Sequence, residues 1–133
     1  LSHHREPHDF GPLRDASHHC KLTNPLCGDE VRISLVISGE SISRCHFEGH
    51  GCALCRASAS LLTDAVQTQT VAAARKLTEV LLQFLSSPAD LDSPDGIGDL
   101  VALSGVREYS SRRRCATLPW EALQTALLRP ADQ

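Results

Sequence analysis

The apolar positions of the chain follow two periods, and the change from one to the other predicts an order of elements. Val31, Ile33, Leu35 and Ile37 alternate with Glu30, Arg32 and Ser34, which predicts a half-buried strand. Ser38-Gly39-Glu40 reads as a turn, and Ser41 to Glu48 returns with Cys45 and Phe47 on one face, completing a hairpin. His19 to Thr23 offers a short strand before it. After Gly49-His50-Gly51 the period becomes helical: Cys52, Cys55, Ala59, Leu62 and Val66 form one stripe. A second helix over 70–85 puts Val71, Ala74, Leu77, Leu81 and Phe84 on one side, and Ser86-Ser87-Pro88 ends it.

Residues 88–98, PADLDSPDGIG, predict an exposed loop, and Asp99 caps a short apolar turn, LVALSGV. The last element, Tyr109 to Leu128, places Tyr109, Ala116, Trp120, Leu123 and Leu127 on a common face. Pro119 should kink it or start a new segment. Residues 1–17 have no sustained period and read as an arm. His3, His4 and His8, with His18 and His19 behind them, lack partners at a closed-site spacing and read as solvated. Strands followed by helices predict an α+β domain over 1–133, with helices on one face of a small antiparallel sheet.

Composition changes this picture little. The chain has 133 residues, 41% apolar and 22% charged, enough for one domain with one core. A net charge of −3 argues against a general nucleic-acid binder. No stretch reaches the ~18 apolar residues of a membrane span, and no leader pattern opens the chain, so a soluble, cytoplasmic protein is expected. There is no Met, so Leu1 is not expected to be the translational start.

The cysteines change it more. Six of them, at 20, 27, 45, 52, 55 and 115, are many for this length, and without a leader they favour metal or thiol chemistry over disulfides. Cys27 and Asp29 flank Gly28 in NPLCGDE, just before the first hairpin strand, and Gly28 lets the backbone turn sharply there. Cys52 opens a helix, where free N–H groups favour a sulfur anion. Cys115 lies in the last helix. If the helices pack back over the sheet, Cys27, Asp29, Cys52 and Cys115 meet at one end of the domain. Three sulfurs and one oxygen suit tetrahedral Zn²⁺, or iron in an assembling cluster. An oxygen among thiolates should make a looser site than four sulfurs. Arg56 and Arg112 to Arg114 are placed to offset its negative charge, and Arg114, beside Cys115, is the first choice. By spacing alone these residues match no compact zinc finger, and the chemistry stays open as a thiol-rich metal or redox site.

Three stretches go further: NPLCGDEV, FEGHGCALCRASASLLTDAV and RRRCATLPWEAL, each with one of the candidate cysteines. In this order they resemble the U-type iron–sulfur assembly proteins, the family of IscU, SufU and the NifU N-terminal domain, from about His3 to Leu127. The SufU branch is the more similar. The loop at 88–98 looks like that branch's insertion, Arg114 stands where IscU-type proteins carry a His, and an LPPVK-like motif is absent. The resemblance implies a metal site at one end of the fold, with Zn²⁺ on Cys27, Asp29, Cys52 and Cys115. It implies a first helix before Leu1 and a SufS-type cysteine desulfurase as partner, whose persulfide sulfur passes to Cys27. Such a protein is a sulfur carrier rather than an enzyme. The alternative role is a scaffold, with a transient iron–sulfur cluster on Cys27, Cys52 and Cys115 that is passed to downstream scaffold or apo-acceptor proteins. Cys55 departs from the pattern, since many relatives have Ser there. It reads as a small core residue or as an auxiliary thiol able to pair with Cys52. Cys45 reads as core, Cys20 as incidental, and His46 and His50 as surface. A thiol–disulfide oxidoreductase using Cys52 and Cys55 and a purely structural zinc module are weaker alternatives.

Overall fold

A computed structural model describes residues 10–25, 28–88, 92, 94–108 and 110–128. Three strands, β1 (His18–Asn24), β2 (Asp29–Ser38) and β3 (Ser41–His50), form one antiparallel sheet in the order β1-β2-β3. Helix α1 (Ala53–Val66) and helix α2 (Val71–Leu85) follow, then a 3₁₀ segment (Gly98–Glu108) and helix α3 (Ser110–Ala126). This is the expected α+β order, with the helices covering one face of the sheet.

The alternation in β2 does what its period requires. Val31, Ile33 and Leu35 are buried, and Arg32 between them faces outward beside Glu48. Ile37 breaks the pattern and is only half-buried, because the β2–β3 register shifts between Val36 and Ile37. Such an irregularity turns the following side chain off the core face. Cys45 and Phe47 of β3 are in the core as expected. Cys20 of β1 is there too, 5% exposed, which corrects its reading as incidental. It sits opposite Ile33, on the apolar side of β1.

The stripe expected for α1 is the buried face of that helix: Cys55, Ala59, Leu62 and Val66. In α2, Ala74, Leu81 and Phe84 are buried, while Val71 and Leu77 pack at the edge. The Thr70 side chain accepts the Ala73 N–H at 3.0 Å and starts that helix.

The last helix differs most from the expectation. α3 runs unbroken through Pro119, and Cys115 to Trp120, Ala122, Leu123 and Ala126 are all buried. A helix buried on nearly every side is a core element. α3 lies on β1 and β2, with α1 and α2 packed against it. Trp120, fully buried, is its anchor. The Trp120 indole N–H donates to Ser58 Oγ (3.2 Å), and Ser58 Oγ–H donates to the Ala116 carbonyl (2.6 Å). Proline removes one intrahelical bond, and this Ser58 link supports the backbone of the same stretch from outside.

The short apolar turn expected after Asp99 is longer than expected and continues as a 3₁₀ segment to Glu108. Ile97, Leu100, Leu103 and Val106 tie it to the core. The described part of the 88–98 loop is mostly exposed, with Ile97 as its buried residue. The described part of the arm is fastened to the sheet: the Gly11 N–H donates to the Phe47 carbonyl at 2.8 Å, and Phe10 meets Phe47 edge-on. His3, His4, His8 and Tyr109 lie outside the described residues. No helix among the described residues is long and apolar enough to cross a membrane.

Candidate metal centre

Asp29, Cys52 and Cys115 come from three segments and meet at one end of the sheet. One ligand atom from each lies within 4.8 Å of the other two. Asp29 and Cys115 are 1% and 2% exposed, while Cys52 is only half-buried. Cys27 lies outside the described residues.

Each side chain is placed by local structure. Asp29 was expected in a loop, but it is the first residue of β2, paired with Asn24 of β1. The Gly28 N–H donates to the Asn24 carbonyl at 2.8 Å, which closes the turn between the two strands. Gly28 has φ +76°, a left-handed conformation that favours glycine, in line with the sharp turn expected. Cys52 is the N-cap of α1, with extended backbone. Its Sγ accepts the Cys55 N–H at 3.5 Å, as a capping side chain does. Cys115 sits on the buried middle of α3, which the Ser58–Trp120 link holds against α1.

Two contacts tie the cap to the strand. Asp29 Oδ1 accepts the Cys52 backbone N–H at 2.9 Å, and the Cys52 thiol lies 3.8 Å from Asp29 Oδ2. Gly51 makes the first possible. A Cβ at that position would stand 2.7 Å from Asp29 Oδ1, closer than real contacts allow. The sequence marks Gly51 only as part of the Gly49-His50-Gly51 turn. Its signal was its place directly before Cys52, but only the fold reveals what it faces.

The donor set fits a borderline-soft cation. A tetrahedron with metal–sulfur distances of ~2.3 Å has edges of ~3.8 Å, so the three donors need only a small contraction to surround one ion. A carboxylate buried among thiols is also the kind of group that is paired or binds a metal.

Three of the arginines expected to balance the charge, Arg56, Arg113 and Arg114, have partners elsewhere in this structure, and Arg112 is exposed. Arg114 Nε lies 2.9 Å from Glu121 Oε2, which also accepts from Thr117 Oγ1 at 2.8 Å. The Arg56 guanidinium lies over the Phe10 ring, 5.4 Å from its centroid. Arg113 reaches the Arg107 carbonyl. His50 is an exposed neighbour of Glu30, and His46 lies beside Arg44; neither joins the group. Trp120 is in the core, and Leu54 is half-buried against it; Leu26 lies outside the described residues.

Comparison with known proteins agrees with this architecture. The chain is 34% identical over 124 residues to the zinc-dependent sulfurtransferase SufU of Bacillus subtilis, covering 93% of this chain and 83% of that protein. It is 32% identical over 133 residues to the iron–sulfur cluster assembly scaffold protein IscU of Streptococcus pyogenes serotype M1, covering 98% of this chain and 80% of that one. Among solved structures, a proposed iron–sulfur cluster assembly scaffold of the SUF system from Fervidobacterium islandicum AW-1 superposes with a TM-score of 0.81 at 26% identity, covering 92% of this chain and 88% of the other. The profile of the NifU-like N-terminal domain matches residues 1–116. By fold and by sequence, the chain belongs to the NifU-like N-terminal domain family, the U-type iron–sulfur cluster assembly proteins.

Proposed function

We propose that this protein is a zinc-dependent sulfur acceptor in iron–sulfur cluster assembly. The observation that carries the reading is the meeting of Asp29, Cys52 and Cys115 within 4.8 Å. In this reading Cys27 is the fourth ligand: it stands two residues from Asp29 in the sequence, and two residues of chain span at most ~7 Å. Zn²⁺ would be held by Cys27, Asp29, Cys52 and Cys115, and it would stabilise the thiolates. The relative named a zinc-dependent sulfurtransferase supports this choice of ion.

The partner in this reading is a SufS-type cysteine desulfurase carrying a persulfide. The Cys27 thiolate attacks the terminal sulfur of that persulfide. A new S–S bond forms on Cys27, the old one breaks, and the desulfurase cysteine leaves as a thiolate. Asp29 is the ligand best suited to adjust during the exchange, because it offers an oxygen among sulfur donors and its Oδ1 also accepts the Cys52 N–H. Arg114 stands one residue from Cys115 and is held by Glu121. In this reading it turns toward the centre when the ligand set changes.

The test joins metal analysis of the purified protein with desulfurase turnover. Stoichiometric zinc, and stimulation of turnover that disappears in Cys27→Ala, are expected. Full stimulation by metal-free protein overturns the reading. The IscU relative favours a second one, a scaffold for a transient cluster on Cys27, Cys52 and Cys115. Anaerobic reconstitution with iron and sulfide separates the two: a visible absorption band and transfer to an apo-acceptor are expected of a scaffold only.

A further inference from the structure

We propose that Cys52 and Cys55 form a dithiol–disulfide pair that withdraws Cys52 from the ligand set under oxidation. The first half rests on geometry alone; the second rests on the reading of Cys52 as a metal ligand.

Cys52 is the cap of α1, and Cys55 lies one turn into it. Residues three apart in a helix have Cα atoms ~5 Å apart, inside the 4.4–6.8 Å range of disulfides. The Cys52 sulfur is turned back over this first turn, 3.5 Å from the Cys55 backbone nitrogen. Helical side chains tilt toward the N-terminus, so the Cys55 side chain leans toward the cap. The spacing along the first turn therefore permits the bond.

Exposure divides the roles. Cys52 is half-buried and reachable, while Cys115, the other described thiol of the centre, is 2% exposed. Cys55 is 3% exposed and lines one small cleft with Val31, Phe47 and Ala59. An oxidant therefore meets Cys52 first, and Cys55 completes the reaction from within. With a hydroperoxide, the Cys52 thiolate attacks one peroxide oxygen and the O–O bond breaks. Cys52 becomes a sulfenic acid, and with hydrogen peroxide the other oxygen leaves as hydroxide. The Cys55 sulfur then attacks Cys52, an S–S bond forms, and the sulfenic oxygen departs with the Cys55 proton as water. The two sulfurs lose two electrons, and the peroxide takes them up.

A sulfur in a disulfide is a poor donor, so the centre drops to Cys27, Asp29 and Cys115 and loses its ion. Thiol reductants restore it. The pair also shields Cys52 from irreversible sulfinic acid, the fate of a thiol with no resolving partner.

The experiment treats the zinc-loaded full chain with limiting hydrogen peroxide, blocks residual thiols and maps the peptides. Trypsin releases residues 45–56, holding Cys45, Cys52 and Cys55, in one piece, so fragmentation locates the bond. A chromogenic chelator follows zinc release in the same sample. The expected result is a Cys52–Cys55 disulfide with zinc release, both reversed by dithiothreitol. In Cys55→Ser the disulfide is lost, Cys52 accumulates sulfinic acid, and dithiothreitol no longer restores zinc binding. Pairing of Cys52 with Cys115 or Cys27, or reversible oxidation unchanged in Cys55→Ser, overturns the proposal. Disulfide formation in a protein that never binds stoichiometric zinc leaves the pair standing and defeats the zinc reading instead. Tight zinc binding without the disulfide does the reverse.

Discussion

The carboxylate of Asp29 accepts the backbone N–H of Cys52 at 2.9 Å, so a hydrogen bond joins the start of β2 to the cap of α1. Asp29 therefore has two separable jobs, one in the fold and one in the proposed centre. Asp29→Ala removes the acceptor and leaves a shielded N–H unpaired, which should cost about 1–3 kcal/mol in urea denaturation. Asp29→Asn keeps an acceptor oxygen and should lose less. If the carboxylate is the exchangeable ligand, Asp29→Ala should give up its metal to a chelator more readily and show altered sulfur transfer. A structural site would show destabilisation without altered transfer.

Gly51→Ala tests the approach of Asp29 to the cap. The added methyl would stand 2.7 Å from Asp29 Oδ1, so the carboxylate must move. Groups that orient metal ligands typically contribute ~10–100-fold in affinity, and a loss of that size is expected in chelator competition. The far-UV circular dichroism should stay unchanged. Gly28→Ala is the contrast: among the described residues no atom beyond its chain neighbours lies within 4 Å of the new Cβ, but φ is +76°. It should cost ~1–2 kcal/mol of stability through the left-handed backbone.

Ser58→Ala addresses the placement of Cys115. It strands the buried Trp120 indole N–H and removes a donor from the Ala116 carbonyl, one residue from Cys115. A loss of about 1–3 kcal/mol is expected in denaturant melts, with a change in tryptophan fluorescence that reports the indole directly.

Metal removal should loosen the protein without unfolding it. The core of Ile33, Leu35, Leu62, Leu81, Trp120 and Leu123 is fully buried and includes none of the proposed ligands. That differs from zinc fingers, which unfold without metal. Chelation should lower Tm by mass action while the helical circular dichroism at 25 °C persists. Loss of the helical signal on chelation would contradict this.

Arg114 and Glu121 are each more than a third exposed, so their pair should contribute at most about 1 kcal/mol. Glu121→Gln should therefore change Tm little. If Arg114 serves the centre, Arg114→Ala should alter sulfur transfer at nearly unchanged stability. Equal transfer by Arg114→Ala and the wild type would leave Arg114 as a partner of Glu121 alone.

The hairpin, the α1 stripe and Cys52 at a helix start were legible because each depends on a few neighbouring residues. Alternation places Val31, Ile33 and Leu35 on one face whatever else the chain does, and a change to helical spacing after Gly51 marks where α1 begins. The three cysteine motifs were legible by resemblance, as the family comparison bears out. The candidate set of Asp29, Cys52 and Cys115 was nameable in advance, but their distances were not.

Contacts between distant segments settled the rest. Pro119 lies within one continuous helix because α3 is enclosed by the sheet, α1 and α2, and packing there outweighs one lost hydrogen bond. Asp29 is a strand residue because Asn24 of β1 pairs with it, which β2 alone does not encode. Arg114 goes to Glu121 because a long side chain takes the nearest good acceptor, and only the folded chain decides which one that is. The sequence by itself determined the local periods and the types of donor available. The tertiary structure decided which of those donors meet, because burial and distance are properties of packed elements and not of any one of them.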